Sequence, residues 1–451
     1  MDTFGMDPRV VAEVEQETSQ LLSQLIKIDT SNPPGNETAF ARFMAAWFGD
    51  AGLAGDIVGE PEDRRSFVLR VEGQRRGPSL LLLSHEDVVP ARPEGWRFPP
   101  FSGLIEDGYV WGRGALDMKN TVAAHAVAVK RLAAAGFAGT IVFACTSDEE
   151  EGSTAGAGWL VTHRPDLVRT DYVLNEGGGS FFVRNGRRVY LLGVGEKGSA
   201  SFRIVVHGDA GHASMPRHSQ AAIVGAAEVI QALVGHPLPL AVGGASRDLV
   251  EYLVEDDDLR RRLPDSRATR QALADLVAQD LPVARLIEPL LGFGFAPTIV
   301  HSNTSVLNVY PTRVEIAFDC RTPVGCSESE VEAEVRAALT GVDAKWEFEW
   351  IDVTPGNASP YPTRLSDCVQ AVLSRCVPEA RLAATHFVGF TDSNWFRSSR
   401  SRTVAYGFCP HLVEEHDKVM QRIHNVDERI SVRDLAFQAL FTEAVAAELL
   451  Q

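Results

Sequence analysis

The sequence is short of positive charge and of long apolar segments. Its 43 Lys and Arg residues face 60 Asp and Glu residues, which gives a formal net charge of −17 at pH 7. Such a chain repels nucleic acid and anionic membranes, so neither is expected as a partner. The start "MDTFGMDPRV" has no basic and apolar leader, and apolar runs such as "AAIVGAA" (221–227) cannot span a bilayer. We therefore expect a soluble, cytoplasmic protein.

Cysteine is also scarce, and its spacing excludes the common paired motifs. None of the six cysteines forms a C-x-x-C pair: Cys145, Cys320, Cys326, Cys368, Cys376 and Cys409. Several lie in apolar stretches, which favours reduced, buried thiols over a disulfide framework. This pattern is typical of a cytoplasmic protein.

What the sequence does contain is a succession of strand and helix patterns at both ends. A chain of 451 residues is too long for one ordinary core, so two domains are expected. Strand patterns at 79–89, 140–147 and 171–178, with a helical pattern at 120–136, predict an α/β domain whose central strands are covered on both faces.

The middle of the chain predicts a smaller α+β domain inserted into the first. It has a strand at 200–208, a helix at 219–235, and a strand, helix and strand over 313–353. Residues 246–300 are interpreted as a helical elaboration of this domain. The predicted boundaries are 1–197 for the first part of the main domain, 198–357 for the inserted domain and 358–451 for the second part of the main domain.

Metal-binding types of side chain follow several of the apolar strands. The run "TSDEEEGST" (146–154) crowds four carboxylates at a strand end, which is costly unless a positive group lies there. The carboxyl ends of strands in an open α/β sheet are where ligands bind. The candidate side chains are His85, Asp87, Asp117, Glu149, Glu150 and Glu176.

Each of these features alone has an ordinary explanation. An H-x-D sequence is usually a surface turn, and acidic residues after a strand usually begin a solvated helix. Their combination at strand ends favours two divalent cations, held by His and carboxylates, with one carboxylate bridging them.

Seven motifs that occur in order carry a family resemblance. They are "SHEDVVP" (84–90), "GRGALDMK" (112–119), "DEEEGS" (148–153), "NEGG" (175–178), "GHAS" (211–214), "NVYPTRVEIAFDCR" (308–321) and "IHNVDERI" (423–430). From about residue 25 to 445 the chain resembles the dinuclear zinc peptidases that include aminoacylase, glutamate carboxypeptidase, carboxypeptidase S, acetylornithine deacetylase and succinyl-diaminopimelate desuccinylase. The resemblance implies an α/β zinc-peptidase catalytic domain, with a mixed sheet between helices, and an inserted α+β lid or dimerisation domain.

The resemblance also implies a role for each site residue. One zinc ion would be bound by His85 and Glu176, the second by Glu150 and His424, and both by the bridging Asp117, with cobalt or manganese as possible substitutes. Asp87 would orient His85, and Glu149 would be the general base that takes a proton from a metal-activated water. A cis peptide bond would follow Asp117. We interpret Asp148 and Glu151 as solvated helix-start residues.

Substrate contacts are implied for both domains. His212, Asn308 and Arg321 of the inserted domain match residues that hold the substrate carboxylate or the oxyanion. In the main domain the pocket loop would include Gly389 and Thr391, and Phe390 replaces a family glycine there. A homodimer is expected through the edge strand at about 200–208 and the helix at 219–235, with His212 serving the partner's site.

These residues favour an amidohydrolase. In the family, a glutamate at position 176 accompanies deacylases and carboxypeptidases, so the expected substrate is an N-acyl amino acid or short peptide with a free carboxylate. Apolar residues at 96–103 and 286–300 favour an apolar acyl group. The alternatives are a dipeptidase, an amidohydrolase of ureido-type substrates, and a catalytically silent metal-binding module; the presence of all expected ligands and the base argues against the last.

Overall fold

The computed structural model describes residues 7–215, 221–398 and 403–451. The chain divides into two compact units. Unit 1 comprises Met1–Gly195, Glu251–Glu255 and Ser359–Gln451, and unit 2 comprises Glu196–Val250 and Asp256–Ala358. Within the described ranges, no helix combines the length and the apolar character needed to cross a membrane.

The helices and strands are numbered here in chain order. The helices are α1 (Pro8–Ile26), α2 (Thr38–Asp50), α3 (Lys119–Ala135), α4 (Ala157–His163), α5 (Pro165–Val168), α6 (Ala222–Gly235), α7 (Ser246–Leu253), α8 (Asp257–Arg262), α9 (Thr269–Gln279), α10 (Leu281–Ile287), α11 (Glu328–Ala338), α12 (Arg364–Cys376), α13 (Ser393–Ser398), α14 (His416–Met420) and α15 (Val432–Leu449). The strands are β1 (Asp56–Val58), β2 (Ser66–Glu72), β3 (Arg75–His85), β4 (Leu104–Glu106), β5 (Tyr109–Trp111), β6 (Ala138–Thr146), β7 (Tyr172–Asn175), β8 (Phe181–Arg184), β9 (Arg187–Glu196), β10 (Gly198–His207), β11 (Gly211–His212), β12 (Gly294–Ser302), β13 (Val309–Tyr310), β14 (Arg313–Thr322), β15 (Lys345–Thr354), β16 (Asn357–Ala358), β17 (Arg381–Phe387), β18 (Val404–Gly407) and β19 (Arg429–Ser431).

The large sheet of unit 1 is mixed and lies between helices, as predicted. Its strand order is β1-β2-β6-β3-β7-β18-β9. Strand β3 is parallel to both β6 and β7, and β18 is parallel to β7, whereas β2 and β6 are antiparallel. Every residue of β6 is buried, because its alternate side chains face opposite helical layers. Val142 packs in a cluster with Leu160 of α4 and Phe396 of α13, and Phe143 contacts Phe48 of α2.

The sheet of unit 2 is antiparallel, with the order β12-β14-β10-β15. The alternating apolar residues of β10 and β14 are buried in a single cluster with Val229 of α6 and Val335 of α11. Strand β14, helix α11 and strand β15 confirm the strand, helix and strand predicted over 313–353. Helix α6 accounts for the pattern at 219–235 from Ala222 onward, and residues 219–220 lie outside the described residues.

Two expectations about this unit are wrong. Residues 246–300 are not helical throughout, because α10 ends at Ile287 and β12 begins at Gly294. Pro297 hides this strand in the sequence, since proline is rare in sheets; here it coincides with a register shift between β12 and β14. The strand at 200–208 is not an edge, because β10 pairs with β14 on one side and β15 on the other.

The aromatic cluster of unit 2 generates a stability prediction. Phe202 is fully buried, and its ring lies 5.1 Å from that of Phe318 and 5.3 Å from that of Phe348. We expect Phe202→Ala to lower the free energy of unfolding by about 3–5 kcal/mol, because it leaves a cavity among rigid rings. Urea denaturation, with Val234→Ala on an exposed position as the control, measures this change; equal midpoints for the two variants would contradict it.

Candidate metal centre

Three parallel strands bring the candidate ligands to one edge of the large sheet. Strand β3 ends at His85, which lies opposite Thr146, the last residue of β6. A short 3-10 turn, Glu149–Glu151, follows β6, and Glu176 follows the last residue of β7. Because parallel strands end at the same edge, residues distant in sequence become neighbours here.

Asp117 lies between two histidines. Its Oδ1 atom is 3.1 Å from Nε2 of His85, and its Oδ2 atom is 3.0 Å from Nε2 of His424. His85 also lies 3.7 Å from Oε1 of Glu176, whereas His424 lies 3.4 Å from Oε1 of Glu150. Each oxygen of Asp117 thus faces a different group of ligand-type atoms, which is the arrangement that a bridging carboxylate needs.

The candidate residues at this edge fit divalent cations by their chemistry. Two overlapping groups have their ligand atoms within 4.8 Å of one another: His85, Glu149 and Glu176 form the first, and His85, Asp117 and Glu150 form the second. Imidazole nitrogen and carboxylate oxygen are the donors that zinc and similar cations use. Glu149 lies 3.8 Å from His85 Nε2, so distance alone does not separate it from the ligands.

The electrostatics of this edge demand positive charge. Burial raises the pKa values of Glu149 and Glu176 well above the usual range of a glutamate. Burial opposes a charge on His85, yet the carboxylates of Glu149 and Glu176 hold its pKa well above the ordinary value. The hydrogen bond to Asp117 raises the pKa of His424 to about 10. The cluster therefore retains protons, and divalent cations would satisfy the same demand.

Asp87 organises the backbone around this cluster. Its Oδ1 accepts a hydrogen bond of 3.1 Å from the amide of Glu149, and its Oδ2 accepts one of 3.1 Å from the amide of Glu150. Asn32, which sequence reasoning missed, donates to the same Oδ2 at 2.9 Å. The Asp87 carbonyl lies 3.0 Å from Nδ1 of His85; because a carbonyl can only accept, Nδ1 carries the hydrogen and Nε2 is left to face Asp117.

The expectation that Asp148 is a solvated residue is wrong. Asp148 is buried, and its Oδ1 forms an ion pair of 2.9 Å with Arg64, which also pairs with Glu37 at 2.7 Å. Asp148 adopts a left-handed backbone (φ +70°), which turns the chain into the 3-10 segment that carries Glu149. Nothing in the local sequence pointed to a partner 84 residues away. Glu151 is exposed, as expected.

The peptide bond between Asp117 and Met118 is cis, as the resemblance implied.

Unit 2 places its three candidate substrate residues in two groups. His212, in β11, and Asn308, just before β13, lie together, with Nε2 of His212 3.4 Å from Nδ2 of Asn308. They adjoin the start of β14, whereas Arg321 lies near its end. At about 3.3 Å per residue, the eight steps from Arg313 to Arg321 span about 26 Å. The Arg321 guanidinium is held by Asp319 through contacts of 2.9 and 3.0 Å.

The predicted pocket loop belongs to unit 1. Thr391 is buried there, and Gly389 and Phe390 are partly exposed. The next residue, Asp392, lies in the same predicted loop but was given no role of its own. It is buried and accepts a hydrogen bond from Thr146, and burial raises its pKa to about 6. Its charge contributes to the raised pKa values of Glu149 and Glu176.

Comparison with known proteins shows which family this chain is similar to. A sequence model described as Peptidase family M20/M25/M40 matches residues 81–448. The human protein "N-fatty-acyl-amino acid synthase/hydrolase PM20D1" is 28% identical over 440 residues, which cover 93% of this chain and 84% of that protein. "Probable carboxypeptidase S-like 2" of Dictyostelium discoideum is 26% identical over 79% of this chain and 68% of that protein.

Solved structures resemble the whole chain. The M20 family metallo-carboxypeptidase Sso-CP2 from Sulfolobus solfataricus superposes with a TM-score of 0.72, over 99% of each chain, at 16% identity. Human carnosine dipeptidase 1 gives a TM-score of 0.69 over 98% of each chain, also at 16% identity. At this level of identity the similarity establishes the fold alone.

Two adjacent glutamates in the centre can be told apart by substitution. We expect Glu149→Gln to keep both bound metal ions but to lower turnover by on the order of 10²–10⁴-fold, because the general base is lost. We expect Glu150→Gln to weaken one metal site, since its carboxylate faces His424. Metal content by elemental analysis, with kcat from the same preparations, measures both effects. Loss of metal from Glu149→Gln alone would reverse the assignment of the two residues.

Proposed function

The chain belongs to peptidase family M20/M25/M40, and from this premise we propose that it hydrolyses the amide bond of an N-acyl amino acid or short peptide with a free carboxylate. The observation that carries the proposal is Asp117 between His85 and His424, with the largely buried carboxylate of Glu149 near His85. A metal-binding group and a candidate base at one sheet edge are the parts that amide hydrolysis by water requires.

The proposed centre assigns a task to each residue. His85 and Glu176 would hold one ion, Glu150 and His424 the other, and Asp117 both. Two divalent cations, zinc in this proposal, would supply an acidified water and a polarised amide carbonyl when bound. Glu149 would accept a proton from the attacking water and deliver it to the departing nitrogen.

Arg321 is the proposed contact for the substrate carboxylate. A guanidinium can bind a carboxylate through two parallel hydrogen bonds. Its present partner, Asp319, belongs to the same strand, and both side chains are more than a third exposed. Exposed ion pairs of this kind contribute little free energy, so a substrate carboxylate can compete for Arg321.

An apolar acyl group is the proposed substrate feature on the other side of the amide. The similarity to the human N-fatty-acyl-amino acid synthase/hydrolase, which extends over 93% of this chain, supports this choice. Exposed apolar residues beside His212 and Asn308 also support it, because they offer a surface for such a group: Met215, Val306 and Leu307, of which Leu307 is 98% exposed.

The distribution of the proposed substrate residues along β14 supports a homodimer. An amino-acid-sized substrate cannot reach across about 26 Å, the length of the strand between its two ends at about 3.3 Å per residue. One chain therefore cannot offer both Arg321 and the His212–Asn308 pair to the same substrate. A second copy that supplies His212 and Asn308 completes the set.

The edges of the unit 2 sheet indicate where two copies pair. Strand β12 exposes Ile299 (63%) and Val300 (57%), an apolar edge open to another strand. Strand β15, at the opposite edge, carries the exposed acids Glu347 and Glu349, which oppose pairing with a second copy. We therefore assign the interface to β12, in place of the strand at 200–208.

A substrate panel tests the proposed reaction. N-acyl amino acids of increasing acyl length, dipeptides and N-carbamoyl amino acids are compared by kcat/KM. We expect apolar N-acyl amino acids to be the best substrates, chelator treatment to abolish turnover, and zinc or cobalt to restore it. Preference for dipeptides or N-carbamoyl compounds would favour a dipeptidase or a ureido-type amidohydrolase. Binding of two metal ions without turnover of any substrate would indicate a silent module.

Mixing inactive variants tests the homodimer. His212→Ala and Glu149→Ala should each be nearly inactive, but their subunit-exchanged mixture should regain roughly a quarter of wild-type activity, since half the dimers are mixed and each has one complete site. Each variant alone, taken through the same subunit exchange, is the control and should stay nearly inactive. An inactive mixture of the two variants, with exchange verified, would contradict the shared site.

A further inference from the structure

A buried ion pair outside the ligand set contacts the segments that carry two proposed ligands. Arg113 and Glu428 are 4% and 0% exposed, and Nη1 of Arg113 lies 2.5 Å from Oε2 of Glu428. Two buried ionised groups cost desolvation energy, which this pairing and its further hydrogen bonds must offset.

Glu428 holds the backbone from which Asp117 projects. Its Oε1 accepts hydrogen bonds from the amides of Leu116 (2.7 Å) and Asp117 (3.2 Å). Its own carbonyl accepts a hydrogen bond of 2.9 Å from the amide of Gly112. Glu428 thus holds the segment from Gly112 to Asp117 through both its carboxylate and its backbone carbonyl.

Arg113 holds the loop that carries His424. The same Nη1 that pairs with Glu428 lies 3.4 Å from the carbonyl of Asn425, the residue after His424. His424 has a left-handed backbone (φ +58°), and its side chain is 48% exposed. Packing alone therefore restrains this ligand weakly, and its position depends on the contacts of its loop.

We propose that Arg113 and Glu428 are positioning residues that fix Asp117 relative to His424 and thereby set the affinity of the metal site that these two ligands share. Residues that orient ligands from outside typically change metal affinity by about 10–100-fold when they are replaced. The inference rests on the proposed two-metal function. It adds that the His424 site depends on this pair more than the His85 site does. The pair supports both Asp117 and the loop of His424, whereas His85 is held separately by Asp87.

Metal binding, measured without substrate, tests the proposal. Wild-type, Arg113→Met and Glu428→Gln proteins are stripped of metal and titrated with Co²⁺ against a competing chelator. We expect the Co²⁺ affinity of the site that includes His424 to fall by about 10–100-fold in both variants. The Co²⁺ affinity of the site that includes His85 should stay within a few-fold of the wild-type value. Glu428→Gln retains an oxygen that can accept from the two amides, so it should be the milder change.

Two controls separate positioning from general stability. Arg131→Met breaks a partly buried ion pair with Glu443, between α3 and α15, and should leave both metal affinities unchanged. The double variant Arg113→Met/Glu428→Gln should bind metal no more weakly than the worse single variant, because the two residues act as one unit. Circular dichroism before titration verifies that each variant is folded.

The outcomes also separate this proposal from the proposed function. Binding of fewer than two ions by the wild-type protein would overturn the two-metal function itself. Two ions in the wild type with unchanged affinities in folded Arg113→Met or Glu428→Gln would overturn the positioning role alone. Equal weakening of both sites would also overturn it, because a general loss of stability has no preference for the His424 side.

Discussion

The crowding of carboxylates around Asp117 is the constraint on which the catalytic unit depends. Glu149, Glu150 and Glu176 converge with Asp117 on two imidazoles at the ends of three parallel strands of the mixed sheet. Desolvation and mutual repulsion make their ionised forms unfavourable, which is why the pKa values of Glu149 and Glu176 are raised. Cations remove this conflict, so metal binding and the integrity of this edge are coupled.

The surroundings of the cluster follow from that constraint. Ligands that repel one another must be held by contacts that do not depend on the cation. Asp87 fixes the turn of Glu149 and Glu150 through their amides, and the ion pair of Arg64 with the buried Asp148 holds the residue that precedes this turn. Most of these contacts are hydrogen bonds to backbone, which place a ligand without adding another side chain to the crowded site.

Sequence reasoning succeeded where the signal is local. The ligand-type residues stand directly after apolar strands, so Glu149 and Glu150 could be placed at a sheet edge from their neighbours alone. It failed where the environment of a residue depends on a partner far away in the sequence. Asp148 was interpreted as a solvated residue because its ion-pair partner, Arg64, is 84 positions away. Strand β12 was hidden by Pro297, and the interior position of β10 depends on pairings that no local pattern encodes.

Strand β14 separates the two proposed substrate contacts, which amide hydrolysis would need together. A carboxylate-binding arginine is useful only beside the reacting amide, and a polar pair such as His212 and Asn308 is useful only at its carbonyl. The strand holds them at opposite ends of a rigid antiparallel sheet, where no side-chain rotation can bring them together. If both act on one substrate, the missing contact must come from another chain. Pairing of β12 with a second copy would then cover its exposed apolar edge and complete the proposed substrate contacts.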